Sequence, residues 1–272
     1  MPTFVISPHP DDAVLSCWTL LSAPGDVQVI NVFTAAPAAT ASPRVAWWDR
    51  LTGAVDGAAR MAERLVEDEQ ALGLAGRASV NLGLLDGQYR RGPTSVAQIA
   101  EAVAGVIGRR ARLVAPAGLG GVHDHELVRD AALRLERDGH EVAFYADLPH
   151  AIRFGWPPSV TGEDPVEGVD VDGCWAALLA RDVRAAETLS REVNVLDDDA
   201  ISAKLAAVGT YRTQLPALLA LNGRLGDPAT FRYEAIWRRG RPAASARSRR
   251  ELVDLRDALP LDPLQAVAPR KP

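Results

Sequence analysis

Residues 3–12, Thr3-Phe4-Val5-Ile6-Ser7-Pro8-His9-Pro10-Asp11-Asp12, run an apolar stretch directly into a two-proline turn that carries a histidine and two aspartates. Thr3–Ser7, bounded by Pro2 and Pro8, reads as a buried strand. From Asp11 to Leu21, apolar residues recur at Val14, Leu15, Trp18 and Leu21, a helical spacing whose aspartates suit a helix N-terminus. Val27–Phe33 alternates valine and isoleucine and reads as the second strand. A strand, a helix and a strand in this order require a parallel crossover.

The same alternation continues outward. Ala35–Arg44, rich in Ala, Pro and Thr, reads as a loop, and Trp47 and Trp48 lie just beyond it. Ala54–Leu74 reads as a long helix closed by Gly73 and Gly76, Val80–Leu82 as a strand and Asp86–Gly87 as a turn. Helix Thr94–Arg109, strand Leu113–Ala115, helix Glu126–Arg137 and strand Val142–Ala146 complete the series. Residues 1 to about 150 therefore predict a Rossmann-like α/β three-layer sandwich around a mostly parallel sheet. Beyond Pro149, the proline- and glycine-rich Trp156–Gly173 reads as a surface excursion. Trp175–Val195 and Ala200–Leu221 read as extra C-terminal helices, and Phe231–Trp237 as a closing strand. The expectation is one domain over 1–272, with loop and helices over about 151–240 elaborating the core and a mobile tail over about 241–272.

Composition narrows the function classes. A chain of 272 residues with 47% hydrophobic and 24% charged residues has the ordinary globular mix, which excludes wholesale disorder. Apolar runs stay far short of the roughly 18 residues of a membrane span. Thirty basic against 35 acidic residues leave a net charge of −5, which argues against general nucleic-acid binding. Cys17 and Cys174 are too few for a disulfide framework and read as reduced thiols. The first basic residue is Arg44, so the N-terminus lacks the basic region of a signal peptide, and a cytoplasmic location is expected.

Three of the five histidines fall in two short clusters. One is Ser7-Pro8-His9-Pro10-Asp11-Asp12, and the other is Gly120-Gly121-Val122-His123-Asp124-His125. Both are expected beyond the carboxyl ends of strands, where open parallel sheets place ligands. His9, Asp12 and His125 supply two imidazoles and one carboxylate, the donor set of a catalytic zinc with an open position. Asp11, next to a ligand but not needed as one, suits a general base. The bland reading stands beside this one: Asp11 and Asp12 as helix caps, His9 as a loop residue, and the second cluster as a solvated turn.

Pro8-His9-Pro10-Asp11-Asp12 with the later Gly-Gly-x-x-Asp-His resembles the PIG-L (LmbE-like) family of zinc-dependent N-deacetylases. Weaker matches are Arg64 with Glu67 and Leu72-Gly73, Leu82–Gly87, Tyr145–Pro149, and Lys204 with Tyr211–Gln214, so the resemblance covers about residues 3–215. It implies His9, Asp12 and His125 as ligands of Zn²⁺ or another divalent metal, and Asp11 as the general base. It also implies Asp124 as a carboxylate orienting a neighbouring histidine, and Arg64 and Asp86 near substrate. The implied activity is removal of an N-acyl group, foremost N-acetyl, from an amino sugar or its conjugate such as N-acetylglucosamine, including antibiotic tailoring. The alternatives are an amidase of non-sugar N-acyl metabolites and a catalytically silent metabolite-binding protein.

One departure stands out. The family commonly has a histidine three residues before the last motif histidine, which stabilises the oxyanion or protonates the leaving amine. Here that position is Val122, and the histidine is displaced to His123. His123 fills the role if Gly120-Gly121 let the loop shift by one residue; the alternative is a side chain that points away. Elsewhere, Trp47-Trp48 reads as packing or a sugar-stacking wall, and Cys17 as a core thiol. His140 and His150 show no partner pattern. The arginines at 238, 239, 241, 247, 249 and 250 read as a solvated segment.

Overall fold

The computed structural model describes residues 1–239, apart from 39, 41–43, 165–166 and 184–185. The expected tail and most of the arginine run lie outside the described residues. Five parallel strands form the core of the sheet: β1 (Thr3–Ser7), β2 (Val27–Asn31), β3 (Ser79–Asn81), β4 (Arg112–Pro116) and β5 (Glu141–Tyr145). Two antiparallel strands, β6 (Leu189–Val195) and β7 (Tyr233–Arg239), extend it, and the order is β3-β2-β1-β4-β5-β7-β6. All five residues of β1 are buried, as an apolar run at the centre of a doubly covered sheet requires. The order reverses between β1 and β4, so the carboxyl ends of those two strands frame the crevice where such sheets bind ligands.

The first crossover is not the single helix expected over Asp11–Leu21. It is two five-residue helices, α1 (Asp12–Ser16) and α2 (Trp18–Ser22), broken at Cys17. Two backbone donors at the break turn to a buried carboxylate: Trp18 N and Thr19 N donate to Glu234 on β7 at 2.6 and 2.9 Å. Lys204 Nζ, equally buried, donates to the same carboxylate at 2.8 Å. Cys17 is fully buried, as a core thiol should be.

Helices α3 (Trp47–Leu51) and α4 (Gly57–Leu74) connect β2 to β3, α5 (Val96–Ala104) connects β3 to β4, and α6 (His123–Arg137) connects β4 to β5. Asp56 and Ser95 cap α4 and α5 by accepting from Ala59 N and Gln98 N. α6 begins three residues earlier than the pattern predicts, which places the whole His-Asp-His run in its first turn.

Two expectations beyond Pro149 are corrected. After the short α7 (Pro158–Thr161), the helix expected over Trp175–Val195 is α8 (Val171–Asp182) followed by strand β6. In β6, Leu189, Arg191 and Val193 are half-buried while Ser190 and Glu192 are exposed, the two-residue alternation of a strand paired along its length with β7. The helix expected over Ala200–Leu221 is α9 (Asp198–Val208) and α10 (Leu215–Leu221), interrupted after Gly209. Within the interruption, Tyr211 donates to Asp68 at 2.8 Å, and Thr213 donates to Glu67 through both N and Oγ1.

Candidate metal centre and active site

The turn after β1 is locked from within. Ser7 Oγ donates to His9 O at 2.7 Å and accepts from Ala13 N at 3.1 Å, while His9 N donates to Asp12 Oδ2 at 2.8 Å. This geometry forces Asp11 into a backbone conformation (φ 148°) that no other non-glycine residue among the described residues adopts. Side chains other than glycine hold such conformations only under constraint, and functional sites are where they concentrate.

His9, Asp12 and His125 converge although 113 residues separate Asp12 from His125, each offering a ligand atom within 4.8 Å of the others. One oxygen, Asp12 Oδ2, lies 3.4 Å from His9 Nδ1 and 3.5 Å from His125 Nε2. His125 is fully buried, and its Nε2 has no hydrogen-bond partner. Leaving a buried polar atom unpaired costs about 1–3 kcal/mol, so this nitrogen is shaped for something the polypeptide does not supply. The other ring nitrogen faces Asp147 Oδ2 at 3.1 Å, the carboxylate–imidazole arrangement that orients metal-binding histidines. His9 is held in the same way: Nε2 faces Asp124 Oδ2 at 3.3 Å, which leaves Nδ1 toward Asp12. Two oriented imidazoles and a carboxylate fit a divalent cation.

A second donor group, His9, Asp86 and Asp124, lies alongside. It is already neutralised by guanidinium groups. Arg90 forms a short ion pair with Asp124, and Arg64 Nη1 lies 3.6 Å from Asp86. The first group has no arginine or lysine against it among the described ion pairs, so the demand for a cation is there.

The electrostatics follow the same division. Burial would raise Asp12, but His125 and His9 outweigh it and hold the carboxyl well below the usual carboxylate range. For His9, burial pulls downward, yet hydrogen bonds to Asp12 and Asp124 and the nearby Asp86 charge keep the imidazole well above its ordinary value. His125 is raised as well, with Asp12 and Asp147 overcoming burial. Asp11 behaves oppositely to its neighbour. Burial, then repulsion from Asp12, pushes its carboxyl up to about 7, against the attraction of Arg64 at 3.9 Å. Two adjacent carboxyls driven apart in this way divide the work of ligand and base.

Asp124 accepts from Gly87 N at 2.9 Å as well as facing His9 and Arg90. Arg64 is buried between Asp11 and Asp86, with its Nε unpartnered. The structure therefore brings seven of the eight expected residues together: His9, Asp11, Asp12, Arg64, Asp86, Asp124 and His125. It does not bring His123. That side chain is 71% exposed, and its ion-pair partner is Glu126 at 3.8 Å. The reason is helical register. With both residues in the first turn of α6, His123 and His125 are about 200° apart around the axis, so burying one exposes the other. Gly121 takes a positive φ (68°), but it ends the loop before the helix and does not turn His123 inward.

Two residues outside the expected site set are at the centre. Asp147 orients His125, and its Oδ1 accepts from Gly118 N and Leu119 N at 3.0 and 3.2 Å. His150 stands edge-on to His125, with ring centroids 4.9 Å apart. Burial and the adjacent His125 pull its pKa down to about 4. Both follow the carboxyl end of β5; Asp147 lies within the weak Tyr145–Pro149 match, and His150 is signalled by position alone. Trp48 donates from Nε1 to Gln214 at 2.8 Å, whereas Trp47 is exposed. His140 accepts from Ala111 N, away from the site.

No protein-family model matches the chain. Over 169 residues it is 34% identical to 2'-N-acetylparomamine deacetylase of Streptomyces fradiae, a match covering 55% of this chain and 57% of that protein. The matched segment is thus little more than half the length of this relative. In three dimensions it is similar to the A40926 pseudoaglycone deacetylase, with a TM-score of 0.63 and 27% identity over 90% of this chain and 99% of that one. A triple mutant of a deacetylase in the teicoplanin biosynthetic pathway gives a TM-score of 0.66 and 25% identity over 90% and 100%. The relative in sequence and both neighbours in fold are proteins named as deacetylases.

Proposed function

We propose that this chain is a PIG-L (LmbE-like) hydrolase that removes an N-acyl group, foremost N-acetyl, from an amino sugar or sugar conjugate in natural-product biosynthesis. The observation that carries the reading is the orphaned His125 Nε2 aimed at Asp12 and His9, with a strained, high-pKa Asp11 next to it. The names of the relative and the fold neighbours support the same reaction class.

His9 Nδ1, Asp12 Oδ2 and His125 Nε2 would hold the metal, with Zn²⁺ the ion that suits this donor set. When bound, such an ion supplies Lewis acidity, which lowers the pKa of water and polarises an amide carbonyl. Asp11, poised near neutral pH, takes a proton from the attacking water as its oxygen bonds to the carbonyl carbon. The carbon–nitrogen bond then breaks with its electron pair going to nitrogen, and Asp11 passes the proton to the departing amine. The products are a carboxylate and a free amine. Arg64 and Asp86 form the wall on which sugar hydroxyls would be fixed, and Arg90 holds Asp124 against His9. Among the described residues no helix is long and apolar enough to cross a membrane, and the substrate envisaged is a water-soluble metabolite in the cytoplasm.

The test is acetate release. Metal-loaded protein is incubated with 2'-N-acetylparomamine, N-acetylglucosamine and an N-acylglucosaminyl conjugate, and acid and amine are measured together by mass spectrometry. Stoichiometric acid and amine that vanish with chelator support the reading. Metal-loaded protein that releases neither from any of the three refutes it for amino sugars and favours the silent binding protein.

A further inference from the structure

With His123 turned to solvent, the site has a base and a metal-ligand set but no imidazole at the position that the displaced family histidine would hold. His150 faces the same crevice from the other side of β4. It follows β5, the strand next to β4, and its ring packs edge-on (82°) against His125, one of the three converging donors. His150 is not among the three residues whose ligand atoms converge. Neither of its ring nitrogens has a hydrogen-bond partner among the described residues, in contrast to His9 and to Nδ1 of His125.

The placement is built rather than incidental. At Gly120, a Cβ would lie 2.1 Å from His150 Cβ and 2.9 Å from its Cα. The loop before α6 therefore presses its glycine backbone directly onto His150, and any larger residue at 120 would displace one or the other. The preceding loop residues, Gly118 and Leu119, are tied by their N–H groups to Asp147, which also orients His125. One carboxylate and one glycine thus set the relative position of the two imidazoles.

We propose that His150, and not His123, is the second catalytic imidazole of this site: its ring N–H hydrogen-bonds the oxygen of the scissile carbonyl as negative charge builds there. The inference rests on the hydrolase reading above. The proton cycle stays with Asp11; His150 gives a hydrogen bond and no proton. Glycine at 120 is then a functional requirement, since it lets His150 approach.

Three variants, His150→Ala, His150→Gln and His123→Ala, separate the possibilities. Removing one oxyanion donor typically lowers kcat about 10²–10³-fold. On 2'-N-acetylparomamine, His150→Ala is expected to lose kcat by that factor with KM and metal content unchanged. His150→Gln, which keeps an N–H donor, should recover part of the loss, and His123→Ala should behave as wild type. A readout independent of turnover uses the Co²⁺-substituted protein and acetohydroxamate, whose carbonyl oxygen mimics that of the substrate. Its Kd, read from the visible spectrum, should weaken several-fold in His150→Ala only. Unchanged acetohydroxamate Kd and kcat in His150→Ala overturn the proposal, and so does loss of Co²⁺, which would make His150 a ligand. If wild type turns over none of the sugars while His150→Ala still weakens acetohydroxamate, His150 stands as the donor and the sugar deacetylase reading falls.

Discussion

Replacing Asp147 with asparagine tests the metal centre at its foundation. The carboxylate spends one oxygen on Gly118 N and Leu119 N and the other on His125 Nδ1. In the amide, the oxygen must stay with the two N–H groups, because an NH₂ pointed at them would leave all three donors unpaired. The NH₂ then faces His125 Nδ1, which has to become an acceptor. The imidazole proton moves to Nε2, the atom that lies 3.5 Å from Asp12 and would bind the metal. Loss of an orienting partner typically costs 10–100-fold in metal affinity, about 1.4–2.8 kcal/mol, and the forced tautomer places Asp147→Asn at the upper end. The fold should tolerate the change, since both loop hydrogen bonds survive. The assay is Zn²⁺ competition against a chromogenic chelator, with a thermal melt of the metal-free protein as control. An Asp147→Asn variant that keeps wild-type Kd for Zn²⁺ would refute both the ligand role of His125 and the tautomer reasoning.

Three further outcomes follow from the same geometry. Asp11→Asn should retain metal but lose about 10²-fold or more in kcat, because an amide cannot accept the water's proton; Asp11→Gly should be equally inactive yet melt no lower than wild type, since glycine tolerates φ near 148°. A wild-type rate in Asp11→Asn would make the residue a structural cap. Between pH 6.5 and 8 the metal-free protein should lose stability, because His9, His125 and Asp11 all have folded pKa values above their ordinary ones. Their contribution is complete below the unfolded pKa and is lost as pH rises through the folded one. His150, lowered to about 4, works weakly the other way at the lower edge of this window, where the unfolded imidazole is still partly protonated and the folded one is neutral. Metal-loaded protein should show the opposite trend, since its ligands bind deprotonated, and melts with and without chelator at pH 6.5 and 8 check both signs. Finally, Lys204→Ala strands the buried Glu234 carboxylate and should cost about 3–5 kcal/mol in urea denaturation; a loss under about 1 kcal/mol would mean that water reaches the pair.

The sequence makes the first strand and its turn legible because two prolines bracket a five-residue apolar run and a histidine with two adjacent aspartates follows it. The alternation up to β5 is legible for a similar reason: strands buried on both faces show as apolar runs between amphipathic helices. Legibility fails where a choice depends on partners far along the chain. The helix that local spacing favours breaks at Cys17 because Glu234 offers Trp18 N an acceptor 216 residues away. β6 reads as helix until its pairing with β7 is known. His123 and His125 look interchangeable by spacing, and the start of α6 decides between them. His150 carries no motif and Asp147 only the weak Tyr145–Pro149 match, and both matter because the strand order sets β5 beside β4.

The bond from Glu234 to the start of α2 also bears on when this site can come into being. During synthesis the His9–Asp12 turn leaves the ribosome first and His125 more than a hundred residues later. The backbone just after the turn still lacks its acceptor until Glu234 and the strand that carries it have been made. The backbone beside the first-made half of the site is thus completed by a strand made more than two hundred residues after it.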